Sequence, residues 1–392
     1  MIIVIITNYE GAIERGVVRT VEKEYDVVIV GAGPAGIGIA VILKQMGLHN
    51  YCILERNSVG STFKRWPKEM RLLTPSFPGH GFGLLDLNAI VPETSPGFTF
   101  QSEHLSGEEY AKYLQAVASH FELPIELGID VKNIDKTSGG FRLDTNKAEI
   151  NGQYVIWAGG EFQYPNLQPF EGGELCLHNS KVHSWEDLVG DEFFIIGGYE
   201  SGMDSAIHLS HLEKDVTVLA REDTWTRYNP DPSISLSPFT CDRLAEFQDS
   251  DQLVLRGNAE VIKVEKEEED YQIHLSNGEK LESSTQPILA TGFKNSLSLI
   301  LEHFYWDEEN EIELNEVDES TVSEGLFLIG PQVRHEKVIF CFIYKFRQRF
   351  AVVAKEICDR LGIKVSAELI EFYRQSNMYL DDLSCCGNEC IC

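Results

Sequence analysis

The sequence predicts an α/β protein made of two Rossmann-like dinucleotide-binding units, the second inserted into the first. Three observations predict it. Residues 26–55 read as strand, GxGxxG turn, helix, strand and acid. Residues 193–221 repeat that order. Two further strands, at 154–160 and 287–293, run into small residues.

Residues 1–23 match nothing that follows and are read as an N-terminal extension, expected to pack poorly. Asp26-Val-Val-Ile-Val30 is an apolar, β-branched run, the pattern of a buried parallel strand. It leads into Gly31-Ala-Gly33-Pro34-Ala35-Gly36, then a helical stretch from Ile37 to Met46 and a strand from Tyr51 to Leu54. Gly31 permits the tight turn, Gly33 lets the backbone approach a pyrophosphate, and Gly36 lets helix and strand pack closely. The pyrophosphate would sit at the helix N-terminus, where unpaired N–H groups attract anions. Glu55 lies 19 residues after Gly36, where a carboxylate accepts from a ribose hydroxyl.

Ser106-Gly-Glu-Glu109 is a capping box, and Tyr110, Leu114, Val117 and Phe121 give the helix after it one apolar face. Tyr154 to Trp157 is a strand that ends in Ala158-Gly159-Gly160. Phe193 to Ile196 is the strand of the second fingerprint, followed by Gly197-Gly-Tyr199-Glu-Ser201-Gly202, a helix from Met203 to Leu212 and a strand from Val216 to Leu219. Tyr199 replaces the middle glycine. Arg221 stands where the first copy has Glu55. An arginine there removes repulsion of a 2′-phosphate and adds a bidentate partner, so the second site is read as preferring NADP over NAD. The strand Pro287 to Leu289 ends in Ala290-Thr-Gly292, and Leu326 to Ile329 ends at Gly330. Small residues at such crossings let the chain pass close to a cofactor.

The net charge of −29 comes from 62 acidic and 33 basic residues. It opposes nucleic-acid and anionic membrane partners. The apolar run Met1–Thr7 is far shorter than the ~20 residues that span a bilayer and lacks the flanks of a signal peptide. A cytoplasmic location is expected, with the nine cysteines mostly reduced.

Two dinucleotide folds joined by small-residue crossings resemble the two-domain flavoprotein superfamily, which includes thioredoxin-reductase-like enzymes and flavin-containing monooxygenases. The resemblance spans residues 24–380. It implies FAD on the first fingerprint and NADPH on the second, with the NADPH domain inserted in the FAD domain. The FAD domain would be 24–165 continued by 286–383, and the NADPH domain 166–285. FAD contacts would include Gly31, Gly33, Gly36, Glu55 and the stretch Gly60-Ser61-Thr62-Phe63; NADPH would lie on Gly197, Ser201, Gly202 and Arg221. Pro34, Ala35, Arg56, Thr74, Val131, Ala158, Gly159, Ala290, Gly292 and Gly330 are further cofactor-contact candidates. The segment from Arg65-Trp66 to Thr74-Pro-Ser76 is similar to one that nears the flavin ring in monooxygenase-like members. The region Ile343–Arg347 and a cysteine-rich end after Asp382 resemble bacterial flavin-containing monooxygenases.

Departures from the pattern matter. Phe170, Gly172, His178 and Trp185 form a stretched version of the FxGxxxHxxx(Y/W) motif of monooxygenases. Pro331 follows Gly330 where the family carries an aspartate. Disulfide reductases of the superfamily carry CxxxxC after the FAD carboxylate or CxxC in the NADPH domain, and neither stands in those places here. Cys341, just before a helix that begins near Ile343, would meet the flavin pyrimidine with a lowered pKa, or be a buried hydrophobe. Phe342, Phe346 and Phe350 are read as core.

Cys385, Cys386, Cys390 and Cys392 fall within the last eight residues. They read as a thiol relay from flavin to an outside disulfide, as a soft-metal cluster, or as a tail without a catalytic role. The expected activity is NADPH-dependent oxidation of a small molecule by a single-component monooxygenase. The alternatives are reduction of a low-molecular-weight disulfide through the tail, and a sensor that binds NADPH without turnover.

Overall fold

The computed structural model describes residues 23–77, 84–229, 231, 233–308, 310–335 and 338–383. The N-terminal extension, apart from Lys23, and the cysteine tail at 384–392 lie outside the described residues.

The first sheet is built on β1 (Lys23–Val30), whose last four residues are buried. It is flanked by β2 (Tyr51–Glu55) and β6 (Ile150–Trp157), both parallel to it. Beyond β2 lies β3 (Ile125–Leu127). The hairpin β4 (Val131–Thr137) and β5 (Gly140–Thr145) pairs antiparallel to the first half of β6. The second half of β6 pairs with β15 (Leu326–Leu328), in parallel. Helix α1 (Pro34–Gln45) starts with proline at a position where the missing N–H costs nothing. Its apolar face packs on β1 and on α5 (Ile343–Arg360). A Cβ at Gly38 would meet the Phe350 ring at 2.3 Å, so glycine sets the α1–α5 spacing. Helix α2 (Gly107–His120) has the expected capping box, and Tyr110, Leu114 and Val117 are buried.

The second sheet is wholly parallel, in the order β10 (Leu253–Arg256), β9 (Asp215–Leu219), β8 (Glu192–Ile196), β14 (Ile288–Leu289) and β7 (Leu177–His178). Helix α3 (Glu200–His211) joins β8 to β9, and α4 (Pro238–Ala245) precedes β10. A three-stranded antiparallel sheet, β11 (Val261–Glu267), β12 (Asp270–Leu275) and β13 (Lys280–Ser283), covers one side. The boundary expected at 285/286 is therefore misplaced. Ile288 and Leu289 hydrogen-bond between β8 and β7, so the second unit extends to about Gly292. A two-residue strand gives too short a pattern to assign by sequence.

The crossings at 158–166 and 290–296 run against one another. Asn166 N donates to Gly292 O at 3.0 Å and Lys294 N to Tyr164 O at 2.7 Å. Other contacts join the units directly: His104 stacks on Phe239 at 3.7 Å between centroids, and Lys345 Nζ pairs with Asp231 at 2.7 Å. Among the described residues no helix is long and apolar enough to cross a membrane.

Candidate functional site

Both fingerprints adopt the same local geometry. Gly31 has φ +107° and Gly197 φ +119°, the left-handed region that favours glycine. A Cβ on Gly36 would stand 1.9 Å from Gly31 O, and one on Gly202 1.9 Å from Gly197 O. Those glycines are what let α1 and α3 start so near their strands.

Gly33 differs in kind. Its backbone is extended at φ −85°, and a Cβ there would meet no protein atom within 4 Å. The space beside it is therefore cavity, at the exposed N–H groups of α1. Glu55 is 8% exposed, and its Oε2 accepts from Ala32 N at 2.9 Å while Oε1 accepts from Asn57 N at 2.7 Å. The carboxylate braces the turn and keeps lone pairs for a ribose hydroxyl.

A cavity of about 450 Å³ opens here. Of the expected residues it brings together Gly31, Gly33, Pro34, Ala35, Glu55, Arg56, Ser61, Thr62, Thr74, Val131, Ala158, Gly159, Ser201 and Cys341. Gly36 lies beneath it, packed on Gly31. Gly330 is a correction: a Cβ there would meet the Ala35 methyl at 3.4 Å, and its neighbours Ile329 and Pro331 line the cavity instead. Phe342 is a second correction. It caps α5 as the residue before the helix, is only partly buried, and lines the cavity; Phe346 and Phe350 are core, and Phe346 also reaches the cavity wall.

Cys341 is a third. Burial, joined by Asp231 and Glu161, pushes its pKa up, against the pull of Ser233 and Lys345. Its Sγ donates to Ser233 Oγ at 3.0 Å. It is a thiol and not the activated thiolate that a helix N-terminus would favour. The basic residues of α5 are structural: Arg347 is buried on backbone carbonyls of Asp86 and Ala89, with its pKa lowered to about 10 by burial. Arg349 is 1% exposed and holds Asp318.

A second cavity of about 850 Å³ runs along α3's N-terminus. Gly197, Ser201, Arg221, Ala290 and Gly292 line it, and Gly202 packs beneath. Arg221 is exposed at its rim. Glu200 and Ser201 line both cavities, so the two meet at the first turn of α3. Burial raises the Glu200 pKa, although Thr240 and Ser237 hydrogen-bond its carboxyl.

Sequence reasoning missed several wall residues. Phe162 and Phe293 stack at 4.9 Å on the two crossings, and Trp66 lies 6.4 Å from Phe162. Trp66, Asn88, Asn179 and Asp204 are lining residues of the first cavity, and Trp66 Nε1, Asn88 Oδ1, Asp204 Oδ2 and both amide atoms of Asn179 are buried without a hydrogen-bond partner among the described residues. Burial works to raise the Asp204 pKa, but His208 and Arg243 outweigh it and hold the carboxylate ionised. Asn179 sits between His178 and the stretched motif's Trp185, one position from a residue the motif did flag.

The pyridine nucleotide-disulphide oxidoreductase family matches residues 28–330. The chain belongs to that family. Its members are flavoprotein oxidoreductases that use FAD and NAD(P)H, and the cradle at Gly33, the braced Glu55 and the twin cavities fit both groups. The chain is 29% identical to the uncharacterized oxidoreductase CzcO of Bacillus subtilis over 205 residues, 50% of this chain and 54% of that protein. The match thus spans about half the length of such curated relatives. The fold is shared with bacillithiol disulfide reductase Bdr of Staphylococcus aureus, with TM-score 0.70 and 19% identity over 86% of this chain and 99% of that one. It is shared too with a flavin-containing monooxygenase from Stenotrophomonas maltophilia, with TM-score 0.64 and 17% identity over 86% and 99%.

Proposed function

We propose that the protein is an NADPH-dependent flavoprotein that oxygenates a small, soft-nucleophile substrate. The observation that supports this over disulfide reduction is the state of Cys341. A reductase needs a thiolate beside the flavin. The cysteine that lines this cavity is held as a thiol by burial and hydrogen-bonded to Ser233. The five described cysteines are all unbridged.

Bound FAD supplies hydride acceptance and electron transfer to oxygen. The N-terminus of α1 and Gly33 would hold its pyrophosphate, and Glu55 its ribose. The N-terminus of α3 would hold the NADPH pyrophosphate and Arg221 the 2′-phosphate. Trp66, Phe162, Phe293 and Phe342 wall part of the first cavity with aromatic surface, which would exclude water from the reacting centre.

The second reading, a relay through Cys385, Cys386, Cys390 and Cys392, is favoured by four thiols within eight residues. Bacillithiol disulfide reductase, whose fold the chain shares, makes a low-molecular-weight disulfide the substrate class to try. Two assays on the full chain and on a chain ended at Leu383 separate the readings. One is NADPH-driven incorporation of labelled oxygen into thioethers and amines. The other is anaerobic NADPH-driven disulfide reduction. Oxygen incorporation that survives truncation supports the proposal. Disulfide reduction that truncation abolishes overturns it, and a protein that does neither reaction is a sensor.

A further inference from the structure

We propose that Asn179 receives the carboxamide of the nicotinamide ring and so sets the ring's position against the flavin. The inference rests on the NADPH reading of the second cavity.

The strand order points to this place. From β8 the chain winds outward through β9 to β10, then returns to the other side of β8 as β14, with β7 beyond it. The order reverses between β8 and β14, and a dinucleotide lies across such a reversal at the strands' C-terminal ends. Arg221 follows β9, on one side of the reversal. A nucleotide whose 2′-phosphate lies there, with its pyrophosphate at α3, extends its other half over β14 toward β7. Asn179 is the residue directly after β7. It also lines the first cavity, which joins the second at Glu200 and Ser201.

The side chain has the matching chemistry. Asn179 is 1% exposed, and neither Oδ1 nor Nδ2 has a partner among the described residues. Buried amides of this kind are almost always paired. A free donor and a free acceptor in one plane complement another primary amide, which presents the same pair reversed. Asp204 Oδ2 is also unpartnered on this wall, but a carboxylate only accepts.

The position is held from behind. Ser180 N donates to His178 Nδ1 at 3.2 Å, so the ring's proton is on Nε2, which donates to Gly292 O at 3.0 Å. Burial lowers the His178 pKa and keeps this ring neutral. The contact ties the end of β7 to the floor of the second cavity, where Gly292 is a lining residue. The amide is thus presented from a fixed strand end, and its role is positioning.

The test is a binding experiment on the oxidised holoprotein. NADP⁺ and its 3-acetylpyridine analogue, which has methyl in place of the amide NH₂, are titrated by calorimetry. In the native protein the analogue leaves Asn179 Oδ1 unpaired, and its affinity falls roughly 5- to 150-fold. In Asn179→Ala and Asn179→Leu, NADP⁺ weakens and the two coenzymes bind within about twofold of each other. Adenosine 2′,5′-bisphosphate, which has no nicotinamide, binds native and variant proteins alike. Discrimination that persists in the variants overturns the role of Asn179 and leaves the NADPH reading standing. A native protein that binds neither NADP⁺ nor the bisphosphate overturns the NADPH reading, and this inference with it.

Discussion

Gly33→Ala is the sharpest test of where the first cofactor lies, because the structure separates its effect on folding from its effect on binding. The new Cβ would meet no protein atom within 4 Å, and φ −85° suits any residue. Alanine at a compatible glycine position stabilises by about 0.4–1 kcal/mol through the unfolded chain. The FAD-free variant should therefore melt at or slightly above the native temperature. If the pyrophosphate occupies the space beside Gly33, the same methyl overpacks the complex at a cost of about 1–3 kcal/mol. That is a loss of roughly 5- to 150-fold in FAD affinity. Gly36→Ala is the contrast: its Cβ would stand 1.9 Å from Gly31 O, a backbone atom inside the same tight turn. It should cost the apoprotein about 3 kcal/mol, or roughly 6–12 °C in melting temperature. Apoprotein melting by circular dichroism and FAD binding by quenching of flavin fluorescence give the two readouts. An apoprotein of Gly33→Ala that melts as low as Gly36→Ala would refute the argument, as would native FAD affinity in the Gly33 variant.

Arg221→Ala should weaken NADP⁺ about tenfold and leave NAD⁺ nearly unchanged; the low end of the charge-assisted range applies because the side chain is exposed. Equal losses for both coenzymes in a calorimetric titration would remove the 2′-phosphate role. Cys341 should be slow to react with iodoacetamide at pH 7–8, since only the thiolate attacks and burial raises its pKa. Its labelling, followed by peptide mass spectrometry, should keep climbing with pH beyond the ordinary cysteine range of about 8.5. A plateau below pH 8 would mean a lowered pKa and would restore the redox role.

The two fingerprints were legible because their demands are local. Gly31 and Gly197 need positive φ, and Gly36 and Gly202 each need contact with the carbonyl five residues back in the chain. Such requirements select glycine whatever surrounds them. Where a role depended on the other unit, the sequence fell short. Phe342 keeps the i, i+4 spacing of Phe346 and Phe350, but α5 begins only at Ile343, so spacing counted as one face a residue that lies outside the helix. For Cys341 the sequence leaves two readings open, a helix-end thiolate and a buried thiol, because its pKa depends on burial beside Ser233 and Asp231, more than 100 positions away. Asn179 carries a local signal, a polar amide at the end of a strand, but that strand has two residues and pairs with β14, Leu177 with Ile288 and His178 with Leu289, far along the chain. The replacement of Gly33 by Tyr199 in the second copy then has a physical meaning. Tyr199 precedes α3 with φ −105°, which any residue adopts, and its hydroxyl donates to Ser235 O at 2.7 Å. The middle glycine is therefore not required by the backbone in either copy. What differs is how near the ligand comes. At Gly33 the cavity reaches the main chain, whereas at Tyr199 a side chain stands on the wall, and the second dinucleotide must take its phosphate contacts from the turn before it and the helix after it.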